Sequence, residues 1–335
     1  METRLPHFIL LVWALAFAAG AAAQDPQLSQ FYAAPMYLNP ALTGNTQQDR
    51  IGLNYRLQWP GVRPGYKTYA VAYDHRSVQL NSGFGGMVMH DRAGTLGLSF
   101  TQASFNYSYE ARINRRRAVR GGIRAGYTMR TFDWGNAVFA DQIIRENATT
   151  TVEQAMMRNT SYFDFSVGFL YYSEQFWGGF SINHLNEPQQ SLYLDGDATL
   201  PMRTSVHVGY RFAVDGKDFR FSETTMTLAA HYKAQQLWDQ LDLGGYVDHQ
   251  QLTFGLWYRG LPAVKAYQPG YPNDDAVILM VGYETPYQLR LVYSYDVTVS
   301  KLTAKSGGAH EISLSYEWPK NSKKRRYRTV PCPKF

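Results

Sequence analysis

The sequence predicts an all-β protein: a single antiparallel transmembrane β-barrel of about 14 strands. Three observations carry this. After Arg50, apolar and polar side chains alternate with a period of two through most of the chain. Aromatics are abundant, with 25 Tyr and 18 Phe, while charged residues make up only 18%. Beyond the N-terminus, no apolar run approaches the roughly 20 residues that a spanning helix needs. A chain facing lipid on every second residue has this balance. The soluble alternative is a large β-sandwich, which would bury its apolar faces against each other.

The first element, residues 1–23, is a signal peptide. Arg4 supplies the positive start, Ile9 to Ala19 the apolar stretch, and Ala21-Ala22-Ala23 the small-residue cleavage site before Gln24. No Cys follows it, so lipidation at this point is excluded, and the chain is expected in the outer membrane of a Gram-negative cell. The only cysteine is Cys332, which excludes an intrachain disulfide and a cysteine-based metal site.

The second element, 24–49, contains "DPQLSQFYAAPMYLNPALTG", aromatic and broken by Pro26, Pro35 and Pro40. It has no clean period and cannot be a further strand, because proline lacks the N–H donor. With an even strand count both chain ends lie on the periplasmic side. The segment is therefore expected to bury Phe31, Tyr32, Met36, Tyr37 and Leu38 inside or across the periplasmic mouth, as a plug. The alternative is a disordered leader.

The barrel proper is expected over 50–318. In "RIGLNYRLQW", Ile51, Leu53, Tyr55, Leu57 and Trp59 share one face, and Gly52, Asn54, Arg56 and Gln58 the other. The same reading places strands near 50–59, 66–76, 82–91, 98–111, 117–132, 161–172, 175–184, 202–214, 219–232, 239–247, 250–260, 275–284, 287–296 and 309–318. The alternation is poor in 98–111 and 219–232, which suggests bulges there. Connections after even strands are short and those after odd strands longer, the layout of an outer-membrane barrel. Tyr55, Trp59, Tyr69, Tyr73, Tyr287, Tyr295 and Trp318 face outward near strand ends, as interfacial girdles do. Arg56, Arg120, Arg124, Arg130, Arg203, Arg211, Arg259 and Arg290 face inward, as do Asp74, Glu110, Asp164, Asp296, Glu311 and Glu317. Both signs in one lumen favour internal ion pairs over a selectivity ring, which needs one sign to dominate.

The last element, 319–335, is a basic tail. Its seven Lys and Arg exceed the chain's net charge of +6, so the rest is slightly acidic. Lys323, Lys324, Arg325, Arg326, Arg328, Cys332 and Phe335 are the candidate contacts with a periplasmic partner; Pro331 and Pro333 stiffen the stretch. A solvated tail held near lipid headgroups is the plainer alternative.

No catalytic constellation stands out. The eight histidines form no metal-ligand spacing, and there is no phosphate loop or nucleophile elbow. Ser181 with His184 is the best pair for a rim-type hydrolase and reads better as two polar strand-end residues. The expectation is no enzyme, no cofactor, no metal and no nucleic-acid partner. Glycine pairs such as Gly121-Gly122 and Gly244-Gly245 read as relief of crowding.

The opening "DPQLSQFYAAPMYLNPALTG" resembles the N-terminal signature of the PorP/SprF family, outer-membrane proteins of the type IX secretion and gliding machinery of Bacteroidota. "NYRLQWPG", "GLWYRG", "YSYDVTVSKL", "HEISLSY" and the closing "CPKF" agree with it in order. The stretch from about Asp133 to Pro201 resembles the family least. The resemblance implies a non-enzymatic barrel, either a part of the secretion machine or the partner of one secreted surface protein, whose C-terminal sorting domain it would receive. It implies secretion components and outer-membrane lipids as neighbours, and supplies no catalytic residues. An outer-membrane channel or transporter for small or hydrophobic molecules is the alternative.

Overall fold

Alternation in the sequence becomes a closed wall in the structure. A computed structural model describes residues 25–62, 65–94, 97–133, 159–193, 196–216, 222–261, 266–268, 271–300 and 306–318. Fourteen antiparallel strands form the barrel. They are β1 Asp49–Gln58, β2 Tyr66–Ser77, β3 Ser82–Ala93, β4 Leu98–Arg112, β5 Arg117–Thr131, β6 Asn159–Ser173 and β7 Phe176–Asn183. Then come β8 Arg203–Ala213, β9 Thr224–Gln235, β10 Trp238–His249 and β11 Leu252–Gly260. A small ribbon, β12 Ala266–Gln268 with β13 Tyr271–Pro272, stands in the following loop outside the barrel. Strands β14 Asp274–Glu284, β15 Leu289–Thr298 and β16 Ala309–Glu317 complete the wall. Pairing of β1 with β16, from Arg50↔Glu317 to Gln58↔Ala309, closes it and leaves no edge strand for lipid to meet.

The outside is apolar. Val71, Phe105, Ile123, Phe163, Leu256 and Leu279 are exposed on it, while their strand neighbours Ala70, Ser104, Arg124, Asp164, Trp257 and Ile278 are buried within. Residues 1–23, read from the sequence as a signal peptide, and the basic tail of 319–335 lie outside the described residues. Two strand details differ from the sequence reading. Strand β9 runs to Gln235, so its connection to β10 is only Gln236–Leu237, with Gln236 at φ 53°, a two-residue turn on the long-loop side. Strands β4 and β9 pair without a register shift; the shift in the described wall falls at Arg259/Gly260 instead. Alternation is weak in β9 because Ala229 and Ala230 sit on opposite faces and offer no polarity contrast, not because the strand is bulged.

Candidate functional site: the segment inside the lumen

Residues 25–46 run through the barrel. A helical turn needs few residues and no strand partner, so this proline-rich stretch folds as three short pieces. They are a 3₁₀ turn at Phe31–Ala33, one α-turn at Pro35–Leu38 and a second 3₁₀ turn at Pro40–Leu42. Pro35 and Pro40 each occupy a first-turn position, where no N–H is required. Asn39 caps the last turn by accepting the Ala41 N–H at 2.8 Å. Its amide donates to the wall carbonyls of Phe169 and Phe180 at 3.0 and 3.1 Å.

The segment is held at three levels. At the long-loop end, the Asp25 carboxylate meets Arg203 at 2.7 Å and His184 at 2.8 Å; His184 turns its other nitrogen to Asp164 at 2.9 Å. Burial opposes charge on His184, but the two carboxylates overcome it and raise the imidazole to about 9. Burial likewise works against the Asp25 carboxylate, yet His184 and Arg203 hold it well below the usual range.

One layer in, Glu311 accepts the backbone N–H of Ser29 at 2.7 Å and of Gln30 at 3.0 Å. The Ser29 hydroxyl sits among Asp296, Arg56 and Arg259 at 2.5–2.7 Å. Arg56 pairs with Asp296 and Glu311, and Arg259 with Asp242 and Asp296, all deeply buried. At the short-turn end, Gly44 N donates to Asp74 at 2.8 Å, and Arg120 donates to the carbonyls of Thr43 and Gly44.

Between these polar layers is an aromatic one. The Phe31 ring lies edge-on to Trp257 at 5.1 Å and tilted on His231 at 4.9 Å. Tyr32 lies near Tyr246 and Trp257, and its hydroxyl touches the Met280 sulfur. Phe31, Tyr32, Met36 and Leu38 are buried; Tyr37 is partly so, with Arg203 over its ring at 5.1 Å and its hydroxyl donating to Pro26 O. The segment therefore spans the lumen from the long-loop end to the short-turn end, where the sequence reading expected it inside or across the periplasmic mouth. Its reach to the long-loop end comes from Asp25, Ser29 and Gln30, whose partners sit near the far strand ends.

Wall glycines make the room. A Cβ on Gly122 would enter the backbone of Ala41, and one on Gly168 the side chain of Asn39. Gly83 and Gly85 stand similarly against Thr43 and Met36. These four glycines relieve crowding by the segment itself, while Gly179 and Gly244 make room for the wall residues His207 and Trp257.

Most of the inward charges form ion pairs, including Arg50–Asp74, Arg120–Glu110 and those above, whereas Arg124 donates to Ser166 and Asn183, and Arg130 to Gln190. The sequence reading missed Asp25, Arg50, Asp242 and His231 as partners. It also missed the inward apolar group Trp177, Tyr246, Trp257, Ile278 and Met280. The parity of Trp257 with Gly255 and Arg259 was the available signal. Ser181 and His184 are drawn apart by separate partners: Ser181 donates to Leu38 O at 3.0 Å, and His184 holds the two carboxylates. On the lipid face, Val208, Leu228, Leu243, Phe254 and Leu256 line an open recess of about 750 Å³ over Gly244, Gly245 and Gly255.

A closed barrel with an apolar exterior and no free edge defines an integral outer-membrane protein. The chain belongs to the family described as type IX secretion system membrane protein PorP/SprF, whose profile matches residues 20–316. No curated protein sequence matches the chain. Solved barrels resemble it at low identity. Acinetobacter baumannii Omp33 shares 10% identity over 82% of this chain and 100% of that one, with TM-score 0.43. The CymD monoaromatic hydrocarbon channel shares 12% over 90% and 96%, with TM-score 0.47. The P. putida toluene transporter TodX shares 10% over 84% and 92%, also with TM-score 0.47. No function is taken from these likenesses.

Proposed function

We propose that the protein serves type IX secretion as a non-enzymatic barrel working with its lumen shut. It is a machine component or an anchor for a secreted surface protein, whose C-terminal sorting domain would engage it from outside the lumen. One observation supports this above the rest: residues 25–46 occupy the lumen at three levels, tied by ion pairs and main-chain hydrogen bonds to strands all round the wall. In this reading Phe31, Tyr32, Met36, Tyr37 and Leu38 are the plug. Lys323, Lys324, Arg325, Arg326, Arg328, Cys332 and Phe335, outside the described residues, are its periplasmic docking tail.

The test is gentle purification from the native outer membrane, with mass spectrometry of what accompanies the barrel. A large surface protein or secretion components, lost when the chain is cut after Trp318, support the anchor or machine role. A barrel that emerges alone and conducts small solutes overturns it.

The second reading is passage of small or hydrophobic molecules through the wall, and it draws on the recess over Gly244, Gly245 and Gly255. Against it, the ladders joining β9, β10 and β11 run unbroken past that recess.

A further inference from the structure

The hairpin between β4 and β5 concentrates charge as no other described turn does. Arg112, Arg115, Arg116 and Arg117 fall within six residues, all exposed. Arg112 pairs with Glu110, whereas Arg115, Arg116 and Arg117 have no ion-pair partner among the described residues. Other described turns on this rim carry acids instead, among them Glu174, Asp215, Glu223 and Glu284. Among the described turns of this rim, the basic side is therefore this one short hairpin.

Its orientation is the second observation. Ala118 and Arg120 point into the barrel and are buried, so Arg117 between the turn and Val119 belongs to the outward, lipid-facing column. Ile113, 59% exposed, stands across from it, with its N–H donating to the Arg117 carbonyl. Leu80, in the adjacent turn, is 61% exposed. Outward Tyr109, one strand-turn deeper, marks the membrane interface, where amphipathic rings collect. A guanidinium at that position snorkels to phosphate depth, and its planar fork binds phosphate oxygens in pairs.

We propose that this hairpin binds the phosphate headgroups of anionic phospholipids in the inner leaflet, with Arg115, Arg116 and Arg117 as phosphate ligands and Ile113 among the first acyl carbons. Arg115 and Arg116 lie in the turn at headgroup depth, and Arg117 with Ile113 lies on the lipid column, where an acidic periplasmic protein would gain nothing from either.

The experiment uses the full mature chain in nanodiscs of phosphatidylcholine with a minority of phosphatidylglycerol, with retained lipids counted by native mass spectrometry. Each basic residue near an anionic leaflet is worth about fivefold, so three predict a preference for phosphatidylglycerol of roughly 100-fold. R115Q/R116Q/R117Q should lose most of that preference, keeping only what the basic tail of 319–335 confers, with heat-modifiable mobility as the control for folding. The proposal is overturned if the wild-type chain shows no preference, or if the triple variant keeps it. Should the triple variant not fold, the chain cut after Trp318 decides. A preference that it keeps and that collapses at high ionic strength supports the site; one lost with the tail, or indifferent to salt, overturns it.

Discussion

The carboxylate of Glu311, near the start of the last strand, grips the main chain of the N-terminal segment at Ser29 and Gln30, 282 and 281 residues away in sequence. It accepts both N–H groups while also pairing with Arg56. Two chain ends are thereby joined inside the wall that β1 and β16 close.

Removing that carboxylate should free the outer half of the segment. Glu311→Ala leaves two buried N–H groups unsatisfied and removes an ion-pair partner of Arg56, a loss on the order of 3–5 kcal/mol. The expected outcome is faster hydrogen exchange at 26–32 with the barrel still closed. Unchanged protection there would show that Ser29 is held by Asp296, Arg56 and Arg259 alone.

The glycines facing the segment should resist enlargement. Gly122→Val or Gly168→Val puts side-chain atoms where Ala41 and Asn39 now lie, and overpacking of this kind costs about 1–3 kcal/mol. Because each strand keeps its ladder, the barrel should fold with the segment displaced. A cysteine placed at position 41 would then become reactive to a lumen-permeant probe.

The grip at the long-loop end should depend on pH through His184. Its folded-state value is raised to about 9 from an ordinary 6.5, so it stabilises the closed arrangement fully below about 6.5. That contribution declines as pH rises and is gone above about 9. Its full size is on the order of 3 kcal/mol. Segment protection should weaken across this window, and His184→Gln should flatten the dependence. A wild-type profile that is flat from 6.5 to 9 would contradict the assignment of charge to this ring.

The aromatic layer should matter more for retention than for wall stability. Phe31→Ala removes a ring packed against His231 and Trp257, a loss of about 3–5 kcal/mol. The segment should release at lower temperature while heat-modifiable migration of the barrel barely changes.

Deleting residues 25–43 should open a conducting path in planar bilayers where the intact chain conducts little. Equal conductance of both would refute the plug.

Much of the wall was legible because strand periodicity is local. In β1, each residue's face follows from its neighbour's, and lipid enforces the contrast between Leu53 outside and Asn54 or Arg56 inside. The inward charges were legible for the same reason. Their pairing was not, since Arg56 with Glu311 and Arg259 with Asp242 depend on which strands become neighbours once the barrel closes. The inward Trp257 and Met280 broke the expected polar lining because the lumen is filled by protein, not by water.

The sequence by itself determined an antiparallel barrel, its strand count and the irregularity of the proline-broken segment, all set by side-chain period and backbone chemistry over a few residues. Only the tertiary structure decided that this segment threads the lumen to Asp25. That path depends on groups hundreds of residues apart, brought within hydrogen-bond reach when β16 meets β1. Their attraction has no signature along the chain. It exists only in the closed, water-poor interior where an unpaired charge or main-chain N–H is costly.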